Sequence, residues 1–120
     1  MGVSSTGFDM ATLTINGSRV ELDEEGYLYD LSQWSPEVAS HLAQGLSIEL
    51  TEAHWEILYL LREFYRQYQH SPAMRPLVKA VGQALGKEKG RSIYLLQLFP
   101  GSPARVAAQL AGLPKPENCL

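Results

Sequence analysis

The sequence has 120 residues, 45% of them hydrophobic and 19% charged, which is typical of one globular domain and too apolar for a disordered chain. A formal net charge of −3 argues against a general nucleic-acid-binding protein, because that class is usually basic. No run approaches the ~18 apolar residues of a membrane-spanning helix, so we expect no membrane partner. A single cysteine excludes an internal disulfide. We therefore expect a cytoplasmic protein with no secretory signal.

The N-terminal part of the chain predicts strands. Residues 1–10 are small and polar and predict a loose lead-in. After them, apolar residues alternate with polar ones on either side of Asn16-Gly17, a pattern typical of a β-hairpin with a type I′ turn over residues 11–22. An acidic turn follows at residues 23–26, and Tyr27-Leu28-Tyr29 predicts a short third strand, which would complete a meander sheet.

From residue 35 onward the patterns are helical. Ser35-Pro36 supplies an N-cap and a first-turn proline for a helix that ends near Gly45. Thr51 begins a second helix, in which seven residues at spacings of three and four form the predicted core face: Trp55, Leu58, Tyr59, Leu61, Phe64, Tyr65 and Tyr68. Three more helices are predicted, from Pro76 to Gly86, over residues 93–98, and from Pro103 to Gly112.

The order of the elements, strands first and helices after, predicts an α+β fold. A small three-stranded meander β-sheet is expected to pack against an array of about five helices. Residues 11–112 form the predicted single domain. Residues 113–120 follow the last helix and contain two prolines, which fix φ and favour an extended chain, so this segment is predicted to be a flexible, mobile C-terminal arm.

Charge is distributed unevenly along the chain. Residues 1–60 hold one basic and ten acidic residues, a net of −9, whereas residues 61–120 hold nine basic and three acidic residues, a net of +6. We expect the two halves to pack together and partly compensate. The alternative is a basic face that attracts an acidic or RNA-carrying partner, with Arg75, Lys79, Arg105 and Lys115 as candidate docking residues.

Other candidate sites have simpler explanations. His41, His54 and His70 lie on separate predicted segments without ligand spacing, so we expect surface or core-edge roles and neither a metal nor a cofactor. Trp34, just before a helix cap, is expected to be a packing residue. The basic helices over residues 76–98 also allow a helix-turn-helix interpretation, but the acidic total and the lack of base-reading side chains argue against DNA binding.

The arm carries the candidate catalytic residue, Cys119. Free cysteines are usually buried, so a lone cysteine in the penultimate position of an extended arm is out of place as a packing residue. A thiolate there is able to attack a donor persulfide, hold the outer sulfur as a persulfide, and present it in another protein's active site. Lys115 and Arg105, or the partner's own site, are the candidates for activating the thiol.

The tail Ala111-Gly112-Leu113-Pro114-Lys115-Pro116, followed two residues later by Cys119, resembles the C-terminal signature of the TusE/DsrC family of sulfur-relay proteins. The segments Leu98-Phe99-Pro100-Gly101 and His54-Trp55 are also similar to family segments. So is a set of residues in the middle of the chain: Arg62, Phe64-Tyr65, Tyr68, Pro72, Arg75 and Leu77. The resemblance runs from about residue 11 to the end. It implies a three-stranded meander packed on helices, with a mobile arm.

Members of the DsrC branch carry a second cysteine eleven residues before the last one, where this chain has Ala108. The resemblance is therefore to TusE-like proteins, which use only the penultimate cysteine. It implies a sulfurtransferase that accepts persulfide sulfur from a TusBCD-like complex. The sulfur would pass to an MnmA-like tRNA thiouridylase for 2-thiolation of the wobble uridine, with tRNA contacted only through that partner. A DsrC-like interaction or regulatory subunit of a sulfite-reductase-type complex, not itself catalytic, is the alternative.

Overall fold

The computed structural model describes residues 12–117, so the predicted lead-in and Cys119 lie outside the described residues. The described chain contains strands β1 (Thr12–Ile15) and β2 (Ser18–Glu21), a short 3₁₀ helix (Leu31–Gln33) and five α-helices. The α-helices are α1 (Pro36–Gly45), α2 (Glu52–Tyr68), α3 (Met74–Leu85), α4 (Ser92–Leu98) and α5 (Pro103–Leu110). The α+β class and the five predicted helices are confirmed.

The predicted hairpin forms with the expected turn. β1 and β2 pair antiparallel, with Ile15 opposite Ser18 and Leu13 opposite Val20. Asn16 and Gly17 have φ of 52° and 82°, the positive values that a type I′ turn requires at both central positions. The turn therefore fixes the register that directs Ile15 and Val20 into the core.

The predicted third strand is not confirmed, since residues 27–29 reduce to a single bridge between Leu22 and Leu28. The Asp23 carboxylate accepts hydrogen bonds from the backbone N–H groups of Glu25 and Tyr27, at 2.9 Å each, which closes a tight acidic turn. Asp30 then caps the 3₁₀ helix by accepting from the N–H of Ser32. Because turns bound this segment on both sides, pairing cannot extend, and the described sheet has two strands.

Helix α5 is the centre of the core. It contacts α1, α2, α3 and α4, and its inward residues are mostly small. Ala104, Ala107, Ala108 and Leu110 are all buried. Ala108 is fully enclosed. The three alanines let neighbouring helices approach the α5 backbone closely.

The predicted core face of α2 is correct for its leucines and wrong for its exposed tyrosines. Leu58 and Leu61 are buried, together with Ile57, but Tyr59 is 51% exposed and Tyr68 57% exposed. Trp55, Phe64 and Tyr65 are only partly buried. The inward stripe is narrower than the pattern indicated, and the aromatic rings flank it and contact one another, as in the Phe64–Tyr68 pair at 4.7 Å between centroids.

Among the residues that the structure describes, no helix has both the length and the apolar character that crossing a membrane would take.

Candidate functional site at the root of the C-terminal arm

The arm leaves the domain through a helix-ending motif at the end of α5. Gly112 has φ of 74°, and its N–H donates to the carbonyl of Gln109 at 3.1 Å. The N–H of Leu113 reaches back to the carbonyl of Ala108 at 2.9 Å. This pair of bonds is a Schellman motif, in which a glycine takes the left-handed position. Leu113 is buried, so the first residue of the predicted arm is part of the core.

Two side chains from distant elements satisfy the last carbonyls of α5. The Trp34 indole N–H donates to the carbonyl of Leu110 at 2.8 Å, and Arg62 Nη1 donates to the carbonyl of Ala111 at 2.7 Å. The Arg62 guanidinium lies 4.1 Å from the centroid of the Trp34 ring. We call this arrangement of Trp34 and Arg62 the carbonyl clamp. It satisfies acceptors that a helix end otherwise leaves to water.

Arg62 holds its charge at some cost. Burial lowers the pKa of Arg62 from its ordinary value, an effect that Tyr59 partly opposes, and the guanidinium remains charged at neutral pH. None of the three ion pairs between described residues involves Arg62. Its compensation comes from the Ala111 carbonyl, the Trp34 ring and the negative end of the α5 dipole, the last being worth roughly 0.3–1 kcal/mol.

Beyond Leu113, the described part of the arm lies against the body. Ser71 Oγ donates to the carbonyl of Pro114 at 2.5 Å, Pro116 is fully buried, and Lys115 Nζ lies 2.9 Å from Glu25 Oε2. Prolines suit this segment because it forms no regular structure that would need their N–H groups. The predicted mobility of the arm stays a prediction, and any swing of residues 114–117 has to break these contacts.

Two grooves include residues of the arm in their lining. One, of about 530 Å³, is lined by His70, Ser71 and Pro76 of the body and by Pro114, Lys115 and Glu117 of the arm. Another, also about 530 Å³, is lined by Tyr59, Arg62, Tyr65 and Leu113 among others. Gln69 lines both. A partner that approaches the arm therefore meets concave surface next to it.

The four predicted docking residues lie on three different segments of the chain. Arg75 and Lys79 are exposed on α3, one turn apart and hence on one face, and Arg105 is exposed on α5. Of the four, only Lys115 forms an ion pair with another described residue, and its partner is Glu25. The pairs Lys115–Glu25 and Lys89–Glu56 each join the acidic half of the chain to the basic half, as the expected compensation requires.

The histidines have the structural roles that their spacing indicated. His54 is buried at the start of α2, whereas His41 and His70 are exposed. Within residues 12–117, no group of three or more histidine, cysteine or acidic side chains is placed to hold a metal ion. Trp34 packs against the core, as expected for a packing residue. Its hydrogen bond to α5, and the contact with Arg62, had no signal in the sequence, because these residues are far apart along the chain.

Comparison with known proteins places this geometry in a family. The family model described as DsrC like protein matches residues 14–120, a range that includes Cys119. The chain is 55% identical over 108 residues to the Sulfurtransferase TusE homolog of Haemophilus influenzae, covering 90% of this chain and 99% of that protein. It is 46% identical over 108 residues to Sulfurtransferase TusE of Escherichia coli, with the same coverage of both chains.

Solved structures agree with the fold. DsrC of Allochromatium vinosum matches with a TM-score of 0.85 and 51% identity, covering 92% of this chain and 99% of that one. The oxidized gamma-subunit of the dissimilatory sulfite reductase, DsrC, from Archaeoglobus fulgidus matches with a TM-score of 0.81 and 38% identity, covering 92% and 100%. The two-stranded sheet and five-helix array described above therefore correspond to a known architecture.

Proposed function

The chain belongs to the DsrC-like family, and from that premise we propose that it is a sulfur carrier whose working group is the thiol of Cys119. The observation that carries this proposal is the single cysteine on the Pro-x-Pro arm in a chain whose relatives are named TusE sulfurtransferases. The hydrogen bonds at the end of α5 support it, since they define where on the body the arm begins.

The proposed transfer needs no oxidant and no cofactor. The Cys119 thiolate attacks the outer sulfur of a persulfide on the donor protein, and a new sulfur–sulfur bond forms as the donor's own breaks. The donor leaves as a thiolate, and Cys119 keeps a persulfide that the acceptor later attacks in the same way. An ordinary thiol with a pKa of ~8.5 is only a few per cent ionised at neutral pH, so activation by the partner's site fits this chemistry.

Lys115 and Arg105 are the alternative source of activation. Because Lys115 is paired with Glu25 while the arm is docked, it becomes available to the thiol only when that pair opens. We therefore favour activation by the partner.

The proposed donor is a TusBCD-like complex, and the proposed acceptor is an MnmA-like tRNA thiouridylase that installs 2-thiouridine at the wobble position. The tRNA would meet this chain only through the acceptor. The chain has no second cysteine, so Cys119 cannot form an intramolecular disulfide or trisulfide. Ala108 therefore supports this TusE-like assignment. A single thiol of this kind would carry the sulfur as a persulfide.

The first prediction concerns sulfur loading. After incubation with a cysteine desulfurase, labelled cysteine and the relay proteins, intact-mass spectrometry of the wild type should show one or more added sulfur masses that reductant removes. Cys119→Ala should show none. As a matched control, Ser102→Ala changes another small residue near a helix end and should load like the wild type. Added sulfur on Cys119→Ala, or no added sulfur on the wild type, would contradict the proposal.

The second candidate function is a non-catalytic subunit of a sulfite-reductase-type complex. It is favoured by the likeness to the sulfite reductase gamma-subunit of Archaeoglobus fulgidus. This function predicts partner binding that survives Cys119→Ala, together with no sulfur on the wild-type chain. The same mass measurement, paired with a binding assay on the variant, separates the two functions.

A further inference from the structure

We propose that the carbonyl clamp, Trp34 and Arg62, positions the C-terminal arm for sulfur transfer by fixing the direction in which the chain leaves α5. Both are positioning residues that act through the backbone of residues 110–112. The inference rests on the proposed function only for the consequence at Cys119. The geometry of the clamp stands apart from it.

The clamp holds the two peptide groups at the end of α5, just before the chain turns into the arm. Leu110 and Ala111 are fully buried, and each gives its carbonyl to one member of the clamp. The hydrogen bonds span 76 and 49 positions of sequence, so the 3₁₀ region and α2 together orient one peptide segment. Two fixed carbonyls in adjacent peptide planes define the exit direction, which a single bond would leave free to rotate.

The absence of a side chain at Gly112 allows the Trp34 ring to pack closely on the backbone. A Cβ atom on Gly112 would lie 2.3 Å from Trp34 Cδ1 and 2.6 Å from Trp34 Cγ, well inside van der Waals contact. The indole therefore packs directly on the backbone where the chain turns, at the one residue with a left-handed φ in this turn. Any rotation of the arm about Gly112 has to move against the Trp34 ring.

The charge of Arg62 is the observation that points beyond simple packing. A partly buried guanidinium without a carboxylate partner among the described ion pairs is costly to keep, and a neutral side chain would fill the space more cheaply. What a charged, planar group provides is a strong, directional bond to a helix-terminal carbonyl and a flat stack on Trp34. The directional hydrogen bond and the flat stack both fix the direction in which the backbone leaves α5.

The test uses conservative variants, each matched by a control substitution at a residue of the same type. Trp34→Phe keeps a ring and removes the N–H donor, and Arg62→Lys keeps the charge and removes the planar stack. Trp55→Phe and Arg66→Lys are the controls, since Trp55 packs on Tyr59 and Arg66 pairs with Glu63, and the described hydrogen bonds to the Leu110 and Ala111 carbonyls come from Trp34 and Arg62. Thermal unfolding checks that each variant is folded, and two clamp variants guard against the loss of one.

The first readout does not depend on sulfur transfer. A nitroxide on Cys119, the chain's one cysteine, broadens the backbone amide signals that the arm's end approaches. Trp34→Phe and Arg62→Lys should spread this broadening over a different and wider set of amides, while both controls keep the wild-type pattern. An unchanged pattern in both folded clamp variants would overturn the inference.

The second readout is the rate of single-turnover sulfur transfer from a persulfide-bearing donor protein. It should fall about tenfold in the clamp variants, while alkylation of Cys119 by iodoacetamide changes less than about twofold. Equal slowing of both reactions, or a shifted label pattern with normal transfer, would contradict positioning. If the wild type accepts no sulfur, the proposed function fails, and the label pattern alone decides the clamp.

Discussion

At the scale of single residues, His54 shows how a polar group becomes a structural anchor. Its Nδ1 accepts a hydrogen bond from the N–H of Thr51 at 3.1 Å, and its Nε2 lies 2.8 Å from the carbonyl of Leu98. A carbonyl only accepts, so Nε2 carries the proton and Nδ1 is free to accept, which fixes one neutral tautomer. One side chain thus caps α2 and ties it to the end of α4.

We predict that His54→Ala lowers the free energy of unfolding by about 2–4 kcal/mol, since it removes a cap, frees the Leu98 carbonyl and opens a cavity. His54→Gln, which restores the acceptor of a common capping box, should cost less. The measurement is urea unfolding followed by circular dichroism. His41→Ala, at an exposed position, should stay within about 0.5 kcal/mol. Equal effects of His54→Ala and His41→Ala would refute the anchor role.

At the scale of elements, α3 and the loop before α4 approach each other closely through two glycines. A Cβ atom on Gly90 would lie 2.4 Å from Gly82 Cα and 2.6 Å from Gly82 N. Both atoms belong to the α3 backbone, which cannot move aside as a flexible side chain would. Glycine at position 90 therefore sets how closely the loop, and with it α4, approaches α3.

Gly90→Ala should therefore destabilise the protein by about 2 kcal/mol or more, because the added methyl group forces backbone apart. Gly45→Ala is the matched control, since Gly45 ends α1 with open space around its Cβ position. That control should be neutral or stabilise by up to about 1 kcal/mol. Denaturant midpoints for the two variants give the comparison, and a neutral Gly90→Ala would mean that the loop shifts freely.

At the scale of the whole molecule, opposite charges on the two halves are only partly used within the fold. Two of the described ion pairs cross between the halves. Arg75 and Lys79 remain exposed on one face of α3 and form no ion pair with another described residue. Solvated cations of this kind contribute little to stability, and they are available to steer an acidic partner toward the molecule.

We predict that the double variant Arg75→Glu, Lys79→Glu weakens association with the sulfur donor complex or the acceptor by about tenfold and reduces its salt dependence. Unfolding free energy should change by less than about 1 kcal/mol. Affinities measured at several salt concentrations test this. The control, Lys87→Glu with Arg91→Glu, carries the same change in charge on other exposed positions. Equal weakening by the control would assign the effect to net charge instead of to this face.

The sequence by itself determined the features that depend on neighbouring residues. The hairpin turn follows from Asn16-Gly17, the start of α1 follows from Ser35-Pro36, and the end of α5 follows from Gly112. Each is set by backbone sterics and hydrogen bonds within a few positions, so the neighbouring residues in the sequence were enough to predict it. The chemistry assigned to Cys119 likewise came from its place in the chain and stays a prediction.

Only the tertiary structure decided which surfaces meet. The carbonyl clamp, the His54–Leu98 bond and the Lys115–Glu25 pair join residues 44 to 90 positions apart, and no local pattern specifies such partners. The same reason explains the two errors. Whether residues 27–29 pair as a strand, and which α2 aromatics are buried, depends on where the rest of the chain packs, because burial and pairing are properties of the assembled core.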